Sequence, residues 1–244
     1  MKRYAYIVFQ LFTSFGYAGS AFAGYEGNAN TFYGQGAGTN TAGDDDYCTF
    51  IGRNAGSNNI AKSNTFLGWY SGYVNTTGTF NTFVGRNAGF RNTTGSNNTF
   101  LGGFAGEQNT TGSYNTFTGI NAGYSNTTGH SNTLLGYYAG YLNTTGYNNT
   151  FVGTNNGEKN TTGYENTFLG RYAGYNNTTG YANAFIGNNT GFSNTSGRGN
   201  TFLGYTAGYK NTTGNYNTII GRNAGVSNVL GSANVFIGYY AGYY

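Results

Sequence analysis

The stretch from Asn64 to Phe80 reads NTFLGWYSGYVNTTGTF, and the same pattern starts again at Asn81. Its opening asparagine then recurs at a strict interval of 17 residues, at Asn98, Asn115, Asn132, Asn149, Asn166, Asn183, Asn200, Asn217 and Asn234. A repeat this short forms one turn or strand pair that cannot bury a core alone and must stack on its copies. The sequence therefore predicts a stacked repeat architecture, with any function spread along its length.

Two imperfect copies precede the regular array and begin at Asn30 and Cys48, so that 13 copies can be aligned. When the repeat is numbered from its asparagine, positions 5 and 9 are glycine in every copy, from Gly34 and Gly38 onward. Glycine at fixed offsets marks backbone with positive φ or a close approach to a neighbour. We therefore predict an all-β fold, a β-solenoid or β-roll of about 13 stacked 17-residue repeats.

Position 3 is phenylalanine in most copies and position 4 is mostly aliphatic, as in Phe66 and Leu67. Neighbouring strand residues point to opposite faces, so these two side chains cannot enter the same core. If the aliphatic residues fill the coil, the phenylalanines form an outer stripe that a partner chain should cover. Alternatively, a wide two-layered coil buries both sets within one chain. The predicted assembly ladder consists of Phe66, Phe83, Phe100, Phe117, Phe151, Phe168, Phe185, Phe202 and Phe236.

Position 7 alternates between asparagine and an aromatic residue, as in Asn87, Phe104, Asn121 and Tyr138, with Thr206 as the exception. A simple solenoid explains this poorly, because every coil has the same surroundings. An antiparallel β-arch or hairpin array with a 34-residue unit is the alternative fold.

Positions 12 to 15 usually read Asn-Thr-Thr-Gly, which places an N-glycosylation acceptor at the same point of nine copies. In an exported protein these asparagines are candidate glycan carriers. Coils about 4.8 Å apart leave no room for a sugar on every rung, so a ladder of turn side chains is the alternative. The candidates are Asn75, Asn92, Asn109, Asn126, Asn143, Asn160, Asn177, Asn194 and Asn211.

The amino-terminal segment, residues 1–23, has a basic start, an apolar run and the small-x-small sequence Ala21-Phe22-Ala23. This build is typical of a secretory signal, and the run is too short to span a membrane. We expect a secreted, extracellular or cell-surface protein without stable membrane insertion, with irregular first repeats at 24–63 and a regular array at 64–244. An uncleaved, degenerate first repeat is the alternative, since Gly16-Tyr17-Ala18-Gly19 echoes the later repeats.

Charged residues make up 7% of the chain, and its net charge of +4 is scattered. This is too weak for a phosphate-binding stripe, so no nucleic-acid partner is expected. Few charges together with 18% aromatic residues favour association over solubility.

Very few residues could carry catalysis. His130 has no catalytic partner at repeat spacing, and Cys48 is interpreted as a small buried residue or, alternatively, as an exposed thiol that links subunits. Asp44, Asp45 and Asp46 could coordinate calcium, but the repeats lack the glycine and aspartate pattern of calcium-binding β-rolls. We expect a non-enzyme without catalytic residues, cofactor or metal site.

The motif Asn-Thr-Phe-Leu-Gly-x-x-Ala-Gly resembles the head repeats of YadA-like trimeric autotransporter adhesins, which are left-handed parallel β-rolls. The likeness runs from Asn30 to Tyr244 and does not extend to the stalk or membrane anchor of that family. The resemblance implies a trimeric surface adhesin that binds host matrix or other cells.

The chain stops in mid-repeat, whereas soluble solenoids carry capping units that cover their last coil. We therefore expect a secreted structural protein whose uncapped repeats stack into an extracellular fibre or sheath, with the chain itself as partner in a homopolymer or homotrimer. The alternatives are an adhesin or fibre head and an ice-binding solenoid that presents ranked threonines.

Overall fold

The computed structural model describes residues 30–41 and 46–243, which form a single stack of coils. Each coil contributes one three-residue strand, and the described residues contain no helix. The strands are β1 Thr31–Tyr33, β2 Thr49–Ile51, β3 Thr65–Leu67, β4 Thr82–Val84, β5 Thr99–Leu101, β6 Thr116–Thr118, β7 Thr133–Leu135, β8 Thr150–Val152, β9 Thr167–Leu169, β10 Ala184–Ile186, β11 Thr201–Leu203, β12 Thr218–Ile220 and β13 Val235–Ile237.

The 13 strands pair in sequence order within one sheet. Every pair is parallel and joins equal repeat positions, as where Phe66 lies opposite Phe83. The predicted β-solenoid is therefore confirmed, and the antiparallel 34-residue alternative is wrong because successive coils all run in the same direction. The predicted signal segment, residues 1–23, lies outside the described residues.

Two glycines in each coil are required by close packing. Gly68 has φ +136°, and a Cβ there would stand 2.5 Å from the carbonyl oxygen of Gly85 in the next coil. Gly72 has φ +58°, and its Cβ would meet the Phe66 ring at 2.5 Å. The first glycine lets one corner stack directly on the next, and the second makes room for the ring inside the coil.

Positions 7 and 17 also adopt left-handed backbone, although they carry ordinary side chains. Tyr70 at position 7 and Phe80 at position 17 both have φ +56°. Such a conformation costs about 1 kcal/mol or more and persists only where surrounding structure enforces it. Backbone hydrogen bonds between coils hold this conformation here. For example, Tyr70 N–H donates to the Arg53 carbonyl at 2.9 Å.

The phenylalanine ladder lies inside the coil. Phe83, Phe100 and Phe117 are fully buried, and their rings stack at 4.7 Å between centroids. Position 4 points outward instead, and Leu101 is exposed. The expected outer phenylalanine stripe is therefore wrong for Phe66, Phe83, Phe100, Phe117, Phe151, Phe168, Phe185 and Phe202, which are all fully buried, and Phe236 in the last coil is half-buried.

The phenylalanines point inward because small residues lie opposite them across the coil. The Phe100 ring faces the turn that holds Ala105 and Gly106, both buried. The thin coil has space for one aromatic ring only where the facing wall lacks side chains. The alternative in which both ladders are buried within one chain is also wrong, because the aliphatic residues face out.

A second interior ladder consists of the position 12 asparagines. Asn109 Nδ2 donates to Asn92 Oδ1 in the preceding coil at 2.6 Å and to the Gly112 carbonyl at 3.0 Å. The position 1 asparagines form a parallel ladder, in which Asn98 Nδ2 donates to the same Gly112 carbonyl at 2.8 Å. Polar side chains are stable in this core because they are hydrogen-bonded to each other and to backbone.

These asparagines correct the glycosylation candidates. Asn75, Asn92, Asn109, Asn126, Asn143, Asn160, Asn177, Asn194 and Asn211 are all fully buried. A side-chain amide that is enclosed and donates two hydrogen bonds cannot carry a glycan in the folded coil. The turn-ladder alternative describes them correctly.

Candidate functional site

Cys48 and His130, the candidate residues for nucleophilic chemistry, lie in different coils. Cys48 is fully buried, its thiol lies 3.3 Å from the Ala61 carbonyl, and burial raises the pKa of the thiol. The interpretation of Cys48 as a small core residue is therefore confirmed, and the exposed linking thiol is wrong. His130 is exposed and stacks on Tyr147 at 5.1 Å. The described residues hold no cluster of three or more metal-ligating side chains.

Of the three aspartates, Asp44 and Asp45 lie outside the described residues. Asp46 is buried, and its Oδ1 lies 3.8 Å from Lys62 Nζ.

The outward face of the sheet is the most uniform surface of the molecule, and we call it the strand face. It consists of positions 2 and 4 of all 13 strands, which flank the buried middle residue. Position 2 is threonine in every strand except β10 and β13, and position 4 is Ile, Leu or Val in every strand except β1 and β6. In β5, for example, Leu101 is 36% exposed, and Leu203 in β11 is 43% exposed.

The corner that follows the strand carries positions 6 and 7, and we call its outward side chains the corner row. Trp69 in this row is 43% exposed, Tyr137 and Tyr205 are each 50% exposed, and Tyr239 is 68% exposed. Charged groups lie among the rings: the Arg86 guanidinium stands 4.9 Å from the Trp69 ring centroid and 5.3 Å from that of Phe104.

The position 10 side chains lie beside the corner row and contact its rings. Tyr175, Phe192 and Tyr209 stack coil upon coil at 5.2 and 5.1 Å, within 7° of parallel. Tyr172 of the corner row stands at 79° to Tyr175 and at 74° to Phe192. Edge-to-face contacts of this kind are favourable and fix the orientation of the ring.

A third outer array lies at position 16. Tyr147, Tyr164 and Tyr181 stack at 4.9 and 4.7 Å, and Arg198 continues the stack with its guanidinium 5.5 Å from the Tyr181 centroid. Because each ring covers its neighbour, this array exposes ring edges and hydroxyl groups.

No helix among the described residues is long and apolar enough to cross a membrane. No family model, curated protein or solved structure matches the chain. The resemblance to adhesin head repeats therefore stays a prediction.

The sequence predicted a phenylalanine ladder, but on the outside of the coil, and so did not identify the strand face. The available signal was the pairing of Phe at position 3 with Ala and Gly at positions 8 and 9. This pairing of large and small residues assigns the phenylalanine to the interior and, by strand alternation, turns positions 2 and 4 outward.

Proposed function

We propose that this chain is a structural rod that self-assembles, with the strand face as the contact between copies. The observation that carries the proposal is the chemistry of that face, where no outward residue of the 13 strands is charged. Charged residues such as Arg86 and Glu165 do occur elsewhere on the exposed surface. Threonine and branched aliphatic residues suit any strand surface, but their unbroken run without a charge also leaves a contiguous apolar surface, which is typical of an interaction site.

The size of the face fits such a contact. At about 4.8 Å per strand, 13 strands make a face roughly 58 Å long, and three residues make it roughly 10 Å wide. Each copy would then contribute roughly 600 Å², not far below the ~800 Å² per partner of a standard interface. Two such faces would pack as sheets about 10 Å apart, with the same residues on both sides of the contact.

Contacts between pairs along the rod axis would extend them into a fibre or sheath. An exported chain would assemble outside the cell, and the secretory build of residues 1–23 supports export.

The test compares two triple variants of equal charge. Leu101→Lys, Val152→Lys and Leu203→Lys together place three charges on the strand face. Thr94→Lys, Thr145→Lys and Thr213→Lys place three charges at exposed position 14, in the turn of Asn-Thr-Thr-Gly. Electron microscopy and sedimentation of the purified proteins should show bundles or filaments for wild type and for the second variant, but single rods for the first. A wild-type chain that stays single at high concentration, or a strand-face variant that associates normally, contradicts the proposal.

Ice binding is a second candidate, favoured by the threonine row at position 2. Threonine occupies this outward position in 11 of 13 strands, so the face presents hydroxyl groups at the regular spacing of the rungs. The position 14 threonines add a second exposed row. Inhibition of ice recrystallisation by wild type, with its loss in Thr99→Lys plus Thr150→Lys, would support this candidate. Full inhibition by that variant would exclude the position 2 row.

A further inference from the structure

The corner row follows a period of two coils, although the backbone repeats with every coil. From Arg53 onward, an aromatic side chain stands at position 6 or 7 of every second coil: Trp69 and Tyr70, Phe104, Tyr137 and Tyr138, Tyr172, Tyr205, and Tyr239 and Tyr240. The coils between them have no aromatic at either position and carry asparagine at position 7: Asn54, Asn87, Asn121, Asn155, Asn189 and Asn223. The coil of Thr206 keeps the alternation, because Tyr205 supplies its ring.

The backbone does not require this alternation. Asn87 has φ +55° and Phe104 has φ +61°, so both residue types occupy the same left-handed backbone. Both side chains are only half-buried. The phenylalanine core shows that rings can also stack in every coil, as Phe83 and Phe100 do at 4.7 Å. The backbone therefore does not select a two-coil period. A ring that lies along the axis is wider than one coil of about 4.8 Å, so alternate coils give such rings room, and the result is a row of rings spaced two coils apart.

Two rings of the row, Tyr70 and Tyr172, have an orientation that suits a ligand running along the rod, whereas Tyr138 lies at 31° to Tyr141. Tyr70 stands at 82° to Tyr73 and at 74° to Phe90, which are themselves stacked coil upon coil. A ring nearly perpendicular to rings stacked along the axis has its plane along that axis. It can therefore turn a face toward an extended chain parallel to the rod.

We propose that the corner row binds a linear, neutral β-1,4-linked polysaccharide of the cellulose or chitin type. Two coils at about 4.8 Å each span roughly 9.6 Å, close to the disaccharide repeat of such a chain, in which every second sugar presents the same face. The apolar face of that sugar would pack on the ring, as apolar surface packs on aromatic side chains. The asparagine amides of the intervening coils would meet the hydroxyl groups of the other sugar with the hydrogen-bonding capacity that the rod leaves them, since Asn155 also donates to Glu158 and Asn223 also accepts from Thr206.

Arginine adds hydrogen-bond donors without requiring an anionic ligand. Arg86 lies between the rings of Trp69 and Phe104, and Arg222 stands 5.6 Å from the Tyr205 centroid. The other occupant with a two-coil period is a second copy of this chain, which the experiment below separates from a polysaccharide.

The decisive variant keeps the composition and destroys the spacing. Phe104→Asn with Asn121→Phe, together with Tyr172→Asn and Asn189→Tyr, moves two rings by one coil each. Phe104 and Tyr172 are suitable because their position 6 neighbours, Gly103 and Arg171, are not aromatic. A deletion variant, Phe104→Asn with Tyr172→Asn, removes the same two rings. All the proteins also carry the three strand-face lysines, so that failure of self-assembly and failure of polysaccharide binding are measured separately.

Binding isotherms on microcrystalline cellulose and on crystalline chitin, with starch granules as the α-linked control, test the proposal. We expect the parent to bind one or both β-1,4 polymers and not starch, and the deletion variant to bind roughly tenfold more weakly for each ring lost. The spacing variant should be weakened to a similar extent. Absence of binding by the parent, or a spacing variant that binds as tightly as the parent, would overturn it. Self-association of the parent that disappears in the spacing variant would assign the row to a second copy and overturn it as well.

Discussion

Two phenylalanines four residues apart in one coil follow different rules. Phe100 is fully buried and stacks at 4.7 Å on Phe83 and on Phe117, as part of a ladder that has a member in nearly every coil. Phe104 is half-buried on the corner, and asparagine replaces its ring in the coils above and below. The phenylalanine ladder repeats from one coil to the next, as the backbone does, whereas the corner row repeats in every second coil.

This difference arises because core positions and surface positions are under different constraints. A core position must satisfy the same neighbours in every coil, so it repeats with the coil. An outward position is free of that demand, and we interpret the regular patterns of the strand face and the corner row as a sign of external contacts. The strand face and the corner row are both patterned without a core reason, and they are the two surfaces to which we assign interactions.

The largest expected effect comes from breaking the inner ladder. Replacing Phe100, Phe151 and Phe202 with Ser should prevent folding, because each loss costs about 3–5 kcal/mol and the total reaches the whole stability of a typical domain. Circular dichroism should show loss of strand signal. The matched control changes the outward neighbours Leu101, Val152 and Leu203 to Ser and should remain folded. A folded, more soluble phenylalanine variant would return these rings to an intersubunit role.

A single methyl group tests the packing of the ring. Gly106 has φ +57°, and its added Cβ would stand 2.5 Å from Phe100. Gly106→Ala should therefore destabilise the protein by about 3 kcal/mol through backbone strain and overpacking. Asn121→Tyr on the corner, at φ +59°, should change stability by no more than about 0.5 kcal/mol. Urea unfolding of both variants measures the contrast, and equal effects would refute it.

The asparagine ladder should be sensitive to loss of one rung. Asn126 Nδ2 donates to Asn109 Oδ1 at 2.6 Å, and Asn126 Oδ1 accepts from Asn143 at 2.9 Å. Asn126→Ala leaves both partners buried without this bond and should cost about 2 kcal/mol. Thr128→Ala, at an exposed turn position of the same coil, should have little effect. Thermal unfolding checks the pair, and an undestabilised Asn126→Ala would show that the ladder contributes no net stability.

The smallest effect concerns pH. Glu107 lies at position 10 among the aromatic rings, and burial raises the pKa of its carboxyl above the usual 4.5. The folded chain therefore holds this proton more tightly than the unfolded chain, which stabilises the fold at acidic pH. That contribution is lost as pH rises from 4.5 through the folded pKa.

Glu107→Gln should remove this pH dependence. It should leave the protein more stable than wild type at neutral pH, by no more than about 0.5 kcal/mol because the side chain is partly exposed to water. Melting temperatures across acidic to neutral pH measure it. Parallel pH curves for the two proteins would contradict the assignment.

The period and the glycines predicted the fold class, because a 17-residue repeat with two fixed glycines allows few backbone paths. The face of the strand was not predicted correctly. Alternation shows only that Phe100 and Leu101 point to opposite sides. The choice between the two sides depends on what the ring meets across the coil, and that contact with Gly106 exists only in three dimensions.

The buried asparagines show the same limit. Asn109 reads as a glycan acceptor because its local sequence matches one, while its burial results from stacking on Asn92 and Asn126. The alternation of the corner was visible in the sequence, but its interpretation as a change in coil direction was wrong. The structure shows that the backbone repeats with every coil, so the two-coil pattern belongs to the side chains alone.

Cross-linking between copies tests the central claim, contact through the strand face, most directly. Leu135 lies in β7, the middle strand of the sheet, and Leu135→Cys combined with Cys48→Ala gives a chain with one outward thiol on that face. Mild oxidation of the assembled protein should produce disulfide-linked dimers in high yield. Thr128→Cys in the same background, with its thiol on the exposed turn, should remain mostly monomeric. Equal yields for the two chains, or no dimer from the Leu135→Cys chain, would contradict assembly through the strand face.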